Sequence, residues 1–416
     1  LNIICIYTRN ILSMEDQPLL FERIELAVRR IFFIEDTTFG DERKGYVIKY
    51  HGRILLPDTA EAYDRLAEAV APLGLTPLFR YENNRQTVIL VTSRQAPRSS
   101  NPRTNLIFFI LTLISVWFTG GMLSLKEMPR NAVEFIWAMI SGGWPFAISL
   151  LAILTAHEFG HYLVGRRHGA AVSLPYFLPL PFPLSPFGTL GAFINMKELP
   201  KNRRVLMDIG IAGPLAGLVV AIPVVLIGLS LSELSPLPAA PLGSGLGQTQ
   251  LEGNSILYLL LKFVVFGQFL PAPADYSGLS PLLFWVRYFF TGQPLPYGGM
   301  DVLLHPVAWA GWGGILITSL NLIPAGQLDG GHLLYVLFGR ERARRIYPLV
   351  LLALGLLGFV WAGWWLWAVL IFLFGRVYAE PLDQITELDA RRKRLGLLTL
   401  IVFVLVFTPV PLVLMP

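Results

Sequence analysis

The pattern of apolar and polar positions divides the chain near residue 100. Before that point charges are dense and balanced, and apolar residues recur at the spacing of short soluble elements. Glu22 to Phe33 has helical spacing and is followed by an acidic turn at Glu35 and Asp36. Gly45 to Leu56 reads as a strand and Asp58 to Leu73 as a helix. Leu75 to Tyr81 and Thr87 to Thr92 read as strands paired around Asn83-Asn84. These elements predict a small soluble α+β domain over 14–98, with a linker at 99–105 in the polar run Gln95 to Thr104. Residues 1–13, ahead of Met14, read as an over-extended start or a disordered segment.

Beyond the linker, long apolar runs dominate. Leu106 to Met122 predicts a first membrane span, and Val133 to Ile140 is too short to cross alone. Gly142-Gly143-Trp144 reads as a break, with Pro145 opening a crossing helix that ends at Arg166-Arg167. Val172 to Met196 is apolar but contains Pro175, Pro179, Pro181, Pro183 and Pro186, which no regular helix accommodates. It predicts a re-entrant loop from Pro175 to Phe187 and a strand-like return through Gly188 to Gly191, since irregular backbone at membrane depth must be buried in protein or line a wet cavity.

Val205 to Leu231 predicts another span, rich in small residues around Gly213 and Gly217 that permit close helix approach. Ser232 to Met300 reads as a long connection carrying interfacial helices in Ile256 to Leu270 and Leu282 to Phe290. Val302 to Ile323 predicts a span, Asp329 opens the next helix, Tyr347 to Arg376 forms a hairpin of two short spans, and Leu397 to Leu414 is the last. The expected fold is an α-helical polytopic membrane protein with a re-entrant Pro-rich loop and strand over 106–416, joined to the small α+β N-terminal domain.

Composition agrees: 54% of residues are hydrophobic, 15% are charged, and the mean hydropathy is +0.57. The net charge of +5 is modest and comes from clusters at span ends, so the bilayer and not nucleic acid is the expected partner. Arg166-Arg167, Lys197 to Arg204, Arg340 to Arg345 and Arg391 to Arg394 fall on one side, and Lys126, Arg130, Lys262 and Arg287 on the other. The positive-inside rule makes the first side, and with it the N-terminal domain, cytoplasmic. A prokaryotic plasma membrane is the expected location. Oligomeric state is not encoded in these patterns.

Candidate chemistry sits inside the crossing helix. His157 lies roughly 14 Å along the axis from Arg166, well within the hydrocarbon, where ionisable groups are costly and usually functional. His157 and His161 are four apart and share a helix face, and Glu158 is offset by about 100°. This HExxH arrangement suits one metal ion with a neighbouring general base. The single cysteine excludes a Cys-rich site, so further ligands must be His, Asp or Glu. His168 is about 10 Å beyond His161 along a continuing helix and is too far to share the ion. Asp329, just after a span ending at Pro324, is the better third ligand, although an Asp before a helix also suits an N-cap. His332 stands behind it as a second candidate.

HEFGH at 157–161, together with the run from Asn321 through Pro324 to Asp329-Gly330, resembles the site-2 protease family of intramembrane zinc metalloproteases. That family pairs HExxH with NxxPxxxxDG. FGTLGAF at 187–193 and AGPLAG at 212–217 resemble its motifs too, and the PYFLP segment is similar to its plant-chloroplast and cyanobacterial branch. The resemblance spans about Leu106 to Arg376. It implies one Zn2+ bound by His157, His161 and Asp329, Glu158 as base, and Asn321 near the scissile carbonyl. It implies a zinc hydrolase that cleaves transmembrane segments of membrane proteins. A strand edge near Gly188, Thr189, Gly191 and Asn195 would capture an unwound substrate by β-addition. The alternative is a non-catalytic membrane scaffold or a metal transporter, which a concentration of polar groups at one site disfavours.

Overall fold

The computed structural model describes residues 17–40, 45–93, 101–125, 127–241, 249–376 and 378–415. The expectation for residues 1–13, the first part of the linker and Lys126 lie outside the described residues. The chain divides into two compact units.

The first unit contains α1 (Gln17–Arg29), β1 (Phe32–Phe39), β2 (Ile48–Ile54), α2 (Thr59–Val70), β3 (Leu75–Glu82) and β4 (Arg85–Thr92). The strands form one antiparallel sheet in the order β1-β2-β4-β3. Asn83 and Asn84, at φ 49° and 63°, close the β3–β4 hairpin in the two-residue turn that positive φ permits. The Asp58 carboxylate caps α2 by accepting from the N–H of Ala60 at 3.1 Å. The acidic turn expected at Glu35-Asp36 is instead part of β1. A bulge between Ile34 and Asp36 absorbs the extra residue, and both carboxylates stay exposed on an edge strand.

Two later segments, Lys197–Leu206 and Ala379–Arg392, complete this unit. Phe79 N–H donates to Leu382 O at 3.0 Å and Gln384 N–H to Phe79 O at 3.0 Å, so 382–384 adds to the outer edge of β3. On its far side Leu382 N–H donates to Pro200 O and Asp383 N–H to Lys201 O, at 2.9 and 2.8 Å. Ile385 enters the core with Ile24, Val28, Leu66, Phe79 and Val88. The sequence pattern placed all of 106–416 in one domain; pairing between Phe79 and Asp383 leaves no trace in local periodicity.

The second unit is built on α3 (Pro102–Leu123), α4 (Ala132–Arg167) and α5 (Arg203–Ser230), the three helices among the described residues that are long and apolar enough to cross a membrane. α3 starts inside the expected linker, with Pro102 in its first turn and Asn101 as its cap. α4 overturns the expected break. It is one helix of 36 residues with Pro145 inside it. The glycines read as a break are packing positions. A Cβ on Gly143 would lie 2.1 Å from Trp117 O, and one on Gly120 would lie 2.6 Å from Gly143 O. Pro145 removes the helical donor to Ser141 O. α3 supplies donors to the two carbonyls flanking it, Trp117 Nε1 to Ile140 O (3.1 Å) and Ser124 Oγ to Gly142 O (2.9 Å).

The proline-rich stretch forms a hairpin of β5 (Tyr176–Pro179) and β6 (Thr189–Phe193), a two-stranded antiparallel sheet. A polar stripe on α3 holds it. Asn105 Nδ2 donates to Leu174 O and Pro175 O, Ser115 Oγ to Gly188 O at 2.6 Å, and Phe182 N–H to Thr119 Oγ1 at 3.4 Å.

Between α5 and the next long element lie β7 (Glu233–Pro236), β8 (Thr249–Glu252), α6 (Ile256–Phe266), α7 (Pro281–Thr291) and β9 (Met300–Leu303). α6 and α7 have 11 residues each, too short to cross a membrane. α8 (Pro306–Asn321) has 16 residues, because Val302 and Leu303, the first residues of the expected span, belong to β9, which pairs with β7. α9 (Asp329–Phe338) stops at Gly339. α10 (Arg340–Gly358) and α11 (Gly363–Phe374) form the expected hairpin. α12 (Ala390–Val406) ends before Pro409 and Pro411, so the span expected to reach Leu414 gives way to β10 (Leu412–Met415), which pairs with β8.

Candidate active site

The buried stripe of α4 runs through Leu150, Leu154, His157, Glu158, His161 and Gly165 at helical spacing. His157, Glu158 and His161 are 4%, 5% and 6% exposed. The loop after α8 brings the next element to them. A Cβ on Gly330 would lie 1.9 Å from Leu322 O, and one on Gly331 would lie 2.4 Å from Gly326 O, so the chain folds back on itself where only glycine fits. Leu328 occupies the N-cap position of α9 with no side-chain cap. Asp329 is therefore the first helical residue, and its carboxylate faces the histidines.

Three donor atoms converge. His157 Nε2 and His161 Nε2 are 3.2 Å apart, and each lies 3.3 Å from Asp329 Oδ2. Zinc takes nitrogen and oxygen ligands at about 2.0–2.1 Å in tetrahedral geometry, which separates neighbouring donors by about 3.3–3.4 Å. The triangle matches that separation, so this donor set fits one zinc ion. His161 Nδ1 lies 2.7 Å from Ile209 O. Donation of its N–H there leaves the Nε2 lone pair facing the triangle.

α5 backs both rings. A Cβ on Gly213 would lie 2.0 Å from His161 Nε2, one on Gly217 3.3 Å from His157 Cβ, and one on Gly160 of α4 2.6 Å from Ala212 O. The small residues of 212–217 thus let α5 approach α4 to the depth of the imidazoles.

Glu158 is buried beside His157 and His161. The Asn321 side-chain amide lies 3.4 Å from His157 Nε2. His332, one turn into α9, is 8% exposed, and its Nδ1 has no partner among the described residues. His168 is bonded elsewhere, its Nε2 lying 3.0 Å from Asp208 Oδ2.

The four residues expected at the substrate strand divide. Gly188 packs against α3, where a Cβ would lie 2.7 Å from Val116 Cα. Thr189 is 4% exposed, and its hydroxyl donates to Leu178 O at 2.7 Å inside the hairpin. Gly191, at φ +100°, has open space where a side chain would project. Asn195 is exposed, and its backbone pairs with Ser173. β6 itself pairs only with β5, leaving its other edge open among the described residues. The sequence reading missed the Ile209 carbonyl and the α3 stripe. Only the last had a visible signal, in Asn105, Thr112, Ser115 and Thr119 at helical spacing within an apolar span.

Residues 145–358, just over half of the chain, match the family model described as Peptidase family M50. The chain is 30% identical over 329 residues to a protein of Arabidopsis thaliana named probable zinc metalloprotease EGY2, chloroplastic, across 76% of this chain and 51% of that protein. A protein of the same plant named probable zinc metalloprotease EGY1, chloroplastic, is 27% identical over 73% of this chain and 52% of its own length. A counterpart of EGY2 in Oryza sativa subsp. indica is 31% identical over 64% of this chain and 42% of its own. The chain spans about half the length, or less, of these curated relatives. The matched region takes in the histidine helix from Pro145 onward, the hairpin, the glycines of α5 and the Asp329 turn, so every element that builds the triangle falls within one family model: the chain belongs to Peptidase family M50, as its resemblance to the site-2 proteases predicted.

Proposed function

We propose that the chain is a membrane zinc metalloprotease that hydrolyses a peptide bond within a membrane-embedded segment of its protein substrate. The observation that carries this is the triangle of His157, His161 and Asp329 donors, 3.2–3.3 Å on a side, with a buried carboxylate, Glu158, next to it in an apolar helix. Zinc held by these three residues would supply Lewis acidity toward the scissile carbonyl and the attacking water.

The remaining roles belong to the chain. Glu158 takes the proton of the attacking water and delivers it to the leaving amine. The Asn321 amide is positioned to donate toward charge developing on the carbonyl oxygen. A helical substrate hides its carbonyls in internal hydrogen bonds and must unwind first. The open edge of β6 offers the unwound backbone a partner by β-addition, with Gly191 and Asn195 along it. Gly188 and Thr189 shape the strand from inside.

The expected orientation has further support. Lys197–Leu206 and Ala379–Arg392 belong to one compact unit with the N-terminal sheet, which supports a reading with all three segments on one side of the membrane. The basic clusters near those segments make that side cytoplasmic or its organellar equivalent. The sequence reading favoured a prokaryotic plasma membrane, and the relatives' names carry a chloroplast location.

The test is Glu158→Gln. The amide is nearly isosteric and leaves all three donors in place, so zinc content should persist. Cleavage of a tagged single-span protein in membranes should fall by about 10²- to 10⁴-fold, the usual cost of losing a general base. Cleavage at the wild-type rate would sink the protease reading, and metal-dependent flux through the variant would favour a transporter.

A further inference from the structure

The second unit holds another cluster of buried ionisable groups, remote in sequence from the HEFGH helix and unused in the proposed hydrolysis. Lys262 sits in the middle of apolar α6 and is 0% exposed. Its ammonium donates to Glu252 Oε1 at 3.1 Å, and lies 3.8 Å from Asp301 Oδ1 and 4.7 Å from the centroid of the Tyr258 ring. The Tyr258 hydroxyl donates to the same Glu252 oxygen at 3.1 Å. Glu252 and Asp301 are 4% and 3% exposed. Asp301 Oδ1 accepts the N–H of Val302 at 2.8 Å. Asp301 Oδ2 has no partner among the described residues, and neither does the buried hydroxyl of Tyr288 on α7.

One ammonium facing two carboxylates leaves a net negative charge in an apolar setting, which is costly unless something neutralises it. A single proton does so. Protonated at Oδ2, Asp301 becomes a neutral donor, and the remaining Lys262–Glu252 pair is balanced. We propose that Glu252, Lys262 and Asp301 form a proton-binding latch that holds α6 against β8 and β9 when Asp301 is protonated and loosens when Asp301 ionises.

The groups that face Asp301 are Glu252 from β8, Lys262 and Tyr258 from α6, Tyr288 from α7 and the Val302 N–H from β9, and β7 pairs with β9 so that Ser235 stands opposite Asp301. Burial pushes the Asp301 carboxyl up to about 7, with Lys262 lowering it and Glu252 raising it. The latch closes on more than one helix. β8 is paired with β10 and β9 with β7. Gly253, next to Glu252, accepts the Trp312 Nε1–H of α8 at 2.8 Å, and β9 leads directly into α8, the helix that ends at Asn321. The proton therefore bears on how firmly the entry to α8 is held.

The sign follows from linkage. A carboxyl whose folded value is raised stabilises the closed form fully below its ordinary value, and that contribution is lost as pH rises through the raised value. The constant for local opening of α6 should rise by up to about tenfold per pH unit between the ordinary aspartate range and about 7, and level off above it. The experiment is hydrogen exchange of the purified full chain at pH 5, 6, 7 and 8, corrected for intrinsic rates and read on peptides covering 256–266. Wild type should follow that curve. Asp301→Asn, which mimics the protonated form, should give flat opening across the series. Glu252→Gln provides a second variant should Asp301→Asn fail to fold: removing the neighbouring negative charge should move the levelling-off point to lower pH. Opening of wild-type α6 that does not depend on pH, an Asp301→Asn curve that follows wild type, or an unmoved Glu252→Gln curve would each overturn the latch. None of these readouts requires protease activity or bound zinc.

Discussion

Gly210, Gly213 and Gly217 lie on one face of α5 and offer a graded test of how the metal centre is backed. An alanine methyl at 210 would meet His332 Cβ at 3.7 Å, at 213 His161 Nε2 at 2.0 Å, and at 217 His157 Cβ at 3.3 Å. Ordinary contact begins near 3.4 Å, so position 213 demands a shift of about 1.4 Å (3.4 − 2.0), position 217 about a tenth of an ångström, and position 210 none. Retreat of the His161 ring is opposed by its Nδ1, which is tied at 2.7 Å to Ile209 O on the same helix as Gly213. Moving Nε2 by that amount takes it out of a triangle whose sides are 3.2–3.3 Å, whereas zinc sites tolerate about ±0.2 Å in ligand distance. Overpacking of this kind costs about 1–3 kcal/mol. At about 1.4 kcal/mol per factor of ten, that weakens zinc binding by roughly one to two orders of magnitude. Misplacement of reacting groups by about 1 Å adds a further loss of about 10²-fold in rate. Alanine is the better helix former by about 1 kcal/mol, so Gly210→Ala should be neutral or stabilising and isolates the steric effect. The assay is zinc content under a chelator series together with cleavage in membranes. The expected order of damage is Gly213→Ala, then Gly217→Ala, then Gly210→Ala. A Gly213→Ala variant indistinguishable from Gly210→Ala on both measures would refute the reasoning.

Three further outcomes are expected. Asp329→Ala should lose zinc while His332→Ala keeps it, and elemental analysis showing the reverse would make His332 the third ligand. Ser115→Ala removes the α3 donor to the Gly188 carbonyl and leaves it only the Leu180 N–H at 3.2 Å, at a cost of about 0.5–1.5 kcal/mol; protease nicking within 175–193 should increase, and an unchanged digestion pattern would show that α3 does not anchor the hairpin. Burial raises the Asp383 carboxyl, so its contribution to the first unit is complete below the ordinary aspartate value and is lost as pH rises through the raised one. Exchange in β3 should therefore speed up across that window in wild type and stay level in Asp383→Asn.

What could be read ahead of the structure was whatever announces itself locally. His157, Glu158 and His161 lie within one helical turn and a half, and charge in an apolar run is conspicuous by its cost. Five prolines in twelve positions from Pro175 to Pro186 rule out a helix without any tertiary information. Position within the fold was harder. Gly142-Gly143-Trp144-Pro145 has the composition of a break, yet α3 packs closely there and donors from its end reach two carbonyls beside the proline gap, and the helix continues. Lys262 was counted as a surface charge for orientation, but it is buried against carboxylates that lie 10 and 39 residues away. Gly188 was expected to make room for substrate and instead makes room for α3. In each case the deciding neighbour belongs to another element, and a one-dimensional pattern does not carry it.

The seam between β3 and Leu382–Gln384 has a consequence for biosynthesis. The N-terminal sheet leaves the ribosome early, with the outer edge of β3 unpaired and the place of Ile385 in its core empty. Both are filled by a segment that follows α11, so the sheet waits while almost all the membrane helices are made, on the order of tens of seconds at typical elongation rates. During that wait it exposes an unpaired strand edge, the feature most prone to wrong partners. It is completed only if the helices in between insert so that Lys197–Leu206 and Ala379–Arg392 both return to its side of the bilayer. A chain inserted with one crossing too few or too many cannot close this seam, and its soluble unit stays open to quality-control proteases. The last strand added to the sheet thus reports on the topology of every helix made before it.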